Sequence, residues 1–362
     1  MILIIVLAVA SIVVLMVIHE FGHFIVAKKC GVRVEEFGIG YPPRIFGKKI
    51  KDTIYSINLI PLGAFVRIYG EEGGIEDYKS FSGLSFGKRM GIVLGGVISF
   101  WIAAIILFTI VFNIGVKVPV GDGDISGLTQ VEILNVIPSS PAESAGFKSG
   151  DVLKQISSGL QTKEIKKTSD VSDFGASHKG ESVSLLFERK GKPIEVEAVL
   201  TEEGKMGVVI ERMYIVIEKQ PWYLTPVKAI AFCIDLTSKA LVALGQLVLG
   251  LVLGQGLMPG AEPAGPVGLT VFLARAVELG AGFFLYFIAA ISVLLAIFNL
   301  LPIPALDGGK VLFLLIEKFR KKPISPKIEQ GITAVFFFLL IAASIVVTIK
   351  YDIPRFSEFL KK

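Results

Sequence analysis

Residues 2–27, ILIIVLAVASIVVLMVIHEFGHFIVA, make an apolar run long enough to cross a bilayer, because about 20 helical residues span the hydrocarbon core. His19, Glu20 and His23 lie near its far end. Ionisable groups inside a span are costly and mark a functional site by default. His19 and His23 are four apart, so on a helix their rings leave the same face one turn from each other. Two neutral imidazoles so placed can hold a zinc ion, and Glu20 stands where it can take a proton from a water at the metal. The pattern alone, H-E-x-x-H, also fits two capping histidines and a snorkelling acid. The chain has 3 His, and two of them fall in this motif.

The rest of the chain is of a kind with that run. Of 362 residues, 52% are apolar, and the mean hydropathy is +0.68, which excludes an ordinary soluble domain and fits several spans with soluble parts. Two cysteines, Cys30 and Cys233, stand far apart, so neither a C-x-x-C site nor a disulfide framework is expected. Metal ligation must then come from His and carboxylate. Ala8-Val9-Ala10 looks like a signal-peptidase site, but no Lys or Arg precedes the apolar run, and the expectation is an uncleaved span.

From Lys28 to Arg89, 11 Lys and Arg face 7 Asp and Glu, which marks a cytoplasmic segment. Inside it, 53–60 and 64–69 read as strands joined at Pro61-Leu62-Gly63, a hairpin at 50–70 that either dips into the membrane or lies on the surface. A free edge on such a hairpin can accept an extended peptide. Residues 91–116 form a second span with a small-residue face at Gly91, Gly95, Gly96 and Ser99, read as helix packing. Residues 124–212 have the composition of a soluble domain, in which His178 is expected to be solvated. Residues 224–258 are apolar but carry Lys228, Asp235, Lys239 and Gln246, which suits interfacial amphipathic helices or, alternatively, a fifth crossing. Clear spans follow at 282–301 and 331–349, separated by a break at Pro302 and Pro304 and a basic segment from Lys310 to Lys327. Asp307 then reaches the same leaflet as His19, where it can either be a third ligand or cap the helix that follows.

IPSSPAESAGFKSGDVLKQI together with KMGVV resembles a bacterial PDZ domain, which implies a groove for a peptide ligand; a rigid spacer or size filter over the site is the alternative. In order along the chain, HEFGHFIVAKKCGVRVEEFGIG, LIPLGAF, the PDZ signature, GPVGL and NLLPIPALDGG resemble the site-2 protease family, in particular its bacterial regulator of sigma-E protease group. The resemblance implies one Zn2+ held by His19, His23 and Asp307, with Glu20 as the catalytic acid/base. It implies substrate-binding roles for Asn299 and Pro302 and for Gly63, Ala64 and Phe65 of the hairpin. Two departures stand out: Gly96 and Ser99 replace the Pro and Asn of the family's GPxxN, and only one PDZ unit is visible.

The expectation is thus a mostly α-helical polytopic membrane protein with four transmembrane helices, a membrane-associated β-hairpin and one inserted α+β PDZ domain. Its parts are a first core half at 1–120, with spans at 2–27 and 91–116; the PDZ domain at 124–212; interfacial helices at 221–280; and a second core half at 281–362. The resemblance implies an intramembrane zinc metalloprotease of the cytoplasmic (inner) membrane, with its site near the cytoplasmic leaflet and the PDZ domain and both termini outside. Its partners would be single-span membrane proteins, such as anti-sigma factors or remnant signal peptides, and the lipid bilayer, with no nucleic acid. The rival from another class is an inactive membrane adaptor that binds partners through the PDZ domain.

Overall fold

The computed structural model describes residues 2–71, 73, 77–123, 129–159, 161–189, 191–254 and 263–360. Residues 124–128, where the sequence places the start of the inserted domain, lie outside the described residues. The chain forms two compact units, Met1–Asn113 with Gln220–Lys362, and Ile114–Lys219.

The first unit begins with helix α1 (Ile2–Lys29), an uninterrupted apolar helix whose last turn carries Lys28 and Lys29, favourable at the negative end of the helix dipole. Gly31, at φ +81°, turns the chain out of it. Strands β1 (Val34–Ile50) and β2 (Thr53–Ile68) follow as an antiparallel pair. The chain reverses at Lys51–Asp52, not at Pro61–Gly63, which lie within β2. The two strands are long and curl: Glu36–Ile39 pair with Ala64–Arg67 on one side and with Ile54–Ile57 on the other.

Part of this sheet is polar inside and apolar outside, although Val34, Phe37, Ala64 and Ile68 are also buried and Arg44, Lys48 and Lys49 exposed. Glu36, Thr53, Ser56 and Asn58 are buried, while Ile39, Ile45, Phe46, Ile57 and Leu59 are exposed. Ser56 Oγ and Arg44 Nη2 each donate to Glu36 Oε1 at 2.7 Å, and Thr53 Oγ1 donates to the Val34 carbonyl at 2.8 Å. Register puts Ile39, Ile57 and Phe46 in one row on the outer face. In water that surface would be costly; against lipid it is the favourable arrangement.

Helix α2 (Phe86–Ile114) closes the first half of this unit. It meets α1 where two glycines face each other. A Cβ at Gly95 would stand 2.9 Å from the Gly22 carbonyl oxygen, and one at Gly22 would overlap the Gly95 carbonyl. Such a crossing is open only to residues without side chains.

The Ile114–Lys219 unit contains β3 (Val116–Pro119), β4 (Thr129–Val136), α3 (Pro141–Ser144), β5 (Val152–Ser158), β6 (Gln161–Glu164), α4 (Thr168–Ser177), β7 (Ser182–Arg189), β8 (Lys192–Val199) and β9 (Val208–Ile217). Its seven-stranded sheet has the order β3-β9-β4-β5-β7-β8, with β6 beside β5. Alternation along β4 and β7 sends Val131, Ile133, Val183, Leu185 and Phe187 into a core closed by Phe147 and Phe174. Ser140 caps α3 through the Glu143 N–H. Asp151 is buried and holds Arg189 through two hydrogen bonds of 2.7 Å, which accounts for the Gly150-Asp151 turn. His178 stacks on Phe174 at 4.1 Å between centroids.

The first unit resumes with α5 (Thr225–Val252), one continuous helix packed on α2 through Phe232 and Phe108, 4.9 Å between centroids. Helix α6 (Pro266–Glu278), α7 (Ala281–Leu300), α8 (Asp307–Arg320) and α9 (Pro326–Val347) follow. From α9 the chain continues through a π turn (Thr348–Asp352) into α10 (Ile353–Leu360) instead of ending as a tail. Pro354 cannot donate to a carbonyl in the preceding turn, and the wider π turn accommodates that. Helices α1, α2, α6 and α7 share a core of Ala8, Leu15, Val97, Phe100, Val271, Ala274 and Ile291. Among the described residues, four helices are long and apolar enough to cross a bilayer: Leu3–Lys29, Phe86–Ile114, Ala281–Leu300 and Pro326–Ser357. The chain is therefore a polytopic α-helical membrane protein with a curled sheet beside its first span.

Candidate metal centre

Three side chains from two distant segments meet in the first unit. His19 and His23 leave one face of α1, and Asp307 opens α8. His19 Nε2 and His23 Nε2 are 3.2 Å apart, and each is 3.3 Å from Asp307 Oδ2. Both imidazoles are buried. Around a tetrahedral ion with bonds of about 2.0 Å, donor atoms are about 3.3 Å from one another. The three donors thus already stand at the spacing of one face of such a tetrahedron. Asp307 Oδ2 is buried and has no hydrogen-bond donor. A cation at the centre of the three atoms would satisfy it. The donor set of two imidazoles and a carboxylate is one that zinc takes in catalytic sites. The cluster thus fits a single zinc ion.

The neighbouring elements fix each of the three side chains. His23 Nδ1 is 2.9 Å from the Ile92 carbonyl of α2, so Nδ1 carries the proton and Nε2 keeps its lone pair for a metal. The His19 ring stacks on Phe100 of α2 at 4.6 Å. Gly96 lies under both rings: a Cβ there would stand 2.7 Å from His19 Cε1 and overlap His23 Nε2. Asp307 is aimed by the break between α7 and α8. The chain folds back through Ile303 N–H to Leu301 O (2.7 Å) and Leu306 N–H to Ile303 O (2.9 Å). Gly308 and Gly309 allow this, since a Cβ on Gly308 would overlap the Leu300 and Leu301 carbonyls and one on Gly309 the Ile303 carbonyl. Asp307 is not the N-cap of α8; Leu306 holds that place, with no side-chain cap bond.

Glu20 sits next to this cluster on α1, half-buried. The backbone N–H of Val66 is directed at its carboxylate. Ala64–Ile68 pair with β1 on one side only among the described residues, so the free edge of β2 faces the metal helix. Gly63 has φ +94° beneath the Tyr41 ring, Ala64 is buried opposite Ile39, and Phe65 stacks on Tyr41 at 6.4 Å. Asn299 Nδ2 donates to the Leu295 carbonyl of its own helix at 2.9 Å. Pro302 is exposed in the break that leads to Asp307. Asn299 near the end of α7 and Pro302 in the break thus precede Asp307 along the chain and are not among the three clustered donors. Ser99 donates to the Gly96 carbonyl at 2.6 Å, within α2.

Sequence reasoning missed the contributions of α2. The spacing groups Gly96 with Gly91, Gly95 and Ser99 as packing; Gly95 and Ser99 do meet Gly22 of α1 and Gly91 lies by Val26, whereas Gly96 faces the histidines; Ile92 and Phe100 are apolar residues with no signal of their own. The sole clue was a glycine doublet in which one member faces a helix and the next, 100° round, faces the histidines.

Known proteins share this arrangement of sequence. The model of Peptidase family M50 matches residues 7–343. A protein of Clostridium perfringens is 33% identical over 339 residues, covering 93% of this chain and 94% of its own. Zinc metalloprotease RasP of Shouchella clausii is 27% identical over 425 residues, and RasP of Oceanobacillus iheyensis 28% over 423; each match covers 92% of this chain and 95% of the relative. With a metal-binding cluster inside a polytopic helical protein and a family match over nearly its full length, the chain is a member of peptidase family M50, the site-2 protease family of zinc-dependent intramembrane metalloproteases.

Proposed function

We propose that this protein binds one Zn2+ through His19, His23 and Asp307 and hydrolyses peptide bonds in the membrane-spanning segments of single-span proteins, with Glu20 as general base and acid. The observation that carries the reading is the set of three donor atoms 3.2–3.3 Å apart with a carboxylate beside them. Zinc at such a site lowers the pKa of water and polarises the scissile carbonyl. Glu20 then takes the proton of the attacking water on its carboxylate and passes it to the leaving amine. His23, oriented by the Ile92 carbonyl, and His19, held flat on Phe100, keep their Nε2 lone pairs turned inward.

A substrate must be unwound where it is cut, because a helix buries its carbonyls in its own hydrogen bonds. The free edge of Ala64–Ile68 supports strand addition next to Glu20, with Gly63, Ala64 and Phe65 shaping its start. Asn299 and Pro302, which precede Asp307 along the chain, are read as a second contact for the extended segment. The apolar outer face of the sheet supports its insertion beside α1. Lys28 and Lys29, just past His23, and the basic stretch from Lys310 support a site near the cytoplasmic leaflet of the inner membrane.

The Ile114–Lys219 unit is read as a PDZ-like domain that takes a peptide. A cavity of about 320 Å3 lies between α4 (Val171, Ser172, Gly175) and the start of β9 (Val208, Ile210). There β9 pairs with β4 on one side, while β3 reaches only Met213–Ile217, which among the described residues leaves an edge beside the helix for a peptide strand.

Co-expression with tagged single-span proteins tests the reading. Wild type should release a fragment, and Glu20→Gln should bind zinc and release none. Full cleavage by Glu20→Gln would remove that residue from the mechanism, and a wild type that cleaves nothing would favour the adaptor reading.

A further inference from the structure

The part of the site that chemistry leaves unexplained is a charge cluster one turn beyond Asp307. Lys310 of α8 makes an ion pair with Glu71, which follows the end of β2. Asp307 and Glu329 are the other acids near Lys310. The pair lies in the wall of a cavity of about 880 Å3, which Gly70, Arg89, Glu317 and Glu329 also line. Arg89 of α2 makes a separate pair with Glu317, further along α8, at 2.8 Å.

What this pair joins gives it meaning. Asp307 and Lys310 are three apart, so they share a helix face, and holding Lys310 holds the ligand. Glu71 is held to the strand end by its own N–H, which donates to the Ile68 carbonyl at 3.2 Å. Val66, whose N–H is directed at Glu20, lies five residues before it. Among the described residues, this is the ion pair that connects the helix carrying the third ligand to the strand whose edge faces the site. Both side chains are partly exposed to the cavity, so the pair adds little to global stability. It can still select one register between two elements that no hydrogen-bond ladder joins.

We infer that the Glu71–Lys310 pair is a positioning device that sets the β2 edge against the Asp307 ligand, so that a strand added there lies at the right height over the metal. This deepens the metalloprotease reading and rests on it for its meaning, though not for its test. Because the cavity can hydrate a charge left alone, removal of one partner should leave the chain folded.

The test uses the full chain in nanodiscs as wild type, Lys310→Met, Lys310→Arg and Glu71→Gln. Hydrogen exchange of the 64–69 amides and zinc content are measured first, without substrate. Lys310→Met and Glu71→Gln should keep zinc and exchange these amides about fivefold faster, the size expected for one partly exposed pair, while Lys310→Arg stays near wild type. With a cleaved single-span substrate, the first two should raise KM by a similar factor at nearly constant kcat, a split that general loosening would not give. Wild-type exchange in both Lys310→Met and Glu71→Gln, or Lys310→Arg as fast as Lys310→Met, would overturn the inference. Absence of cleavage in wild type would count against the protease reading alone, since the exchange result decides the tie by itself.

Discussion

His23 Nδ1 stands 2.9 Å from the carbonyl oxygen of Ile92, and this bond exists because α1 and α2 touch backbone to backbone at Gly22 and Gly95. The metal centre therefore depends on the helix crossing beside it. Gly95→Val should push the helices apart, cost about 1–3 kcal/mol in packing and weaken zinc binding about 10- to 100-fold through loss of the Ile92 contact. Competition with a zinc chelator on the solubilised protein measures this.

Gly96 makes a sharper test, since its absent side chain leaves the space the two imidazoles use. Gly96→Ala should lower bound zinc at least as far as Gly95→Val, with the spans still inserted, because the new methyl meets ring atoms and not a helix. Metal content per chain and helicity by circular dichroism, taken together, separate the two effects.

How much of this was readable beforehand differs by element. The histidine pair was, because His19 and His23 share a helix face by spacing; depth alone left Asp307 open between a third ligand and a helix cap, and the resemblance to the site-2 protease family pointed to the ligand. The four spans were, because lipid imposes a long apolar run. The curled sheet was read only in part. Its reversal at Lys51–Asp52 sits among ordinary charged residues, while Pro61 and Gly63 carry the usual turn signal inside a strand. The other strand, Val34–Ile50, which includes Pro42 and Pro43, has no counterpart in the sequence reading. Gly96 was unreadable because the need for a missing side chain arises only when two segments meet.

The curled sheet leads to a measurable expectation at Ile57, which is 53% exposed in the outer row with Ile39 and Phe46. A nitroxide at position 57, in a background with Cys30 and Cys233 replaced, should be more accessible to oxygen than to a water-soluble nickel chelate. Ile57→Lys should cost about 2–4 kcal/mol if the row reaches the bilayer midplane and less near the interface. Preferential nickel accessibility would place the sheet in water.

The second unit has a pH dependence of its own. Burial pushes the Asp122 carboxyl up, but the N–H groups of Ser169 and Thr168 and the Thr168 hydroxyl outweigh it and bring it down to about 2 from an ordinary 3.8. A carboxylate at the start of α4 suits the positive end of the helix dipole. Because the folded value is the lower one, the stabilisation is present above about 4 and is lost as the pH falls towards 2. The melting-temperature deficit of Asp122→Ala against wild type should be full at pH 6 and should shrink through that window. A deficit independent of pH would show that the charge has no part in it.

The most direct measurement is the zinc content of the purified full-length protein, as wild type and as Asp307→Ala, titrated against a chelator of known affinity. Wild type should hold about one zinc per chain, and Asp307→Ala should lose it at chelator levels that leave wild type loaded, since two imidazoles alone make an incomplete site. Equal stoichiometry and equal affinity in the two proteins would contradict the account, because Asp307 would then not be a ligand.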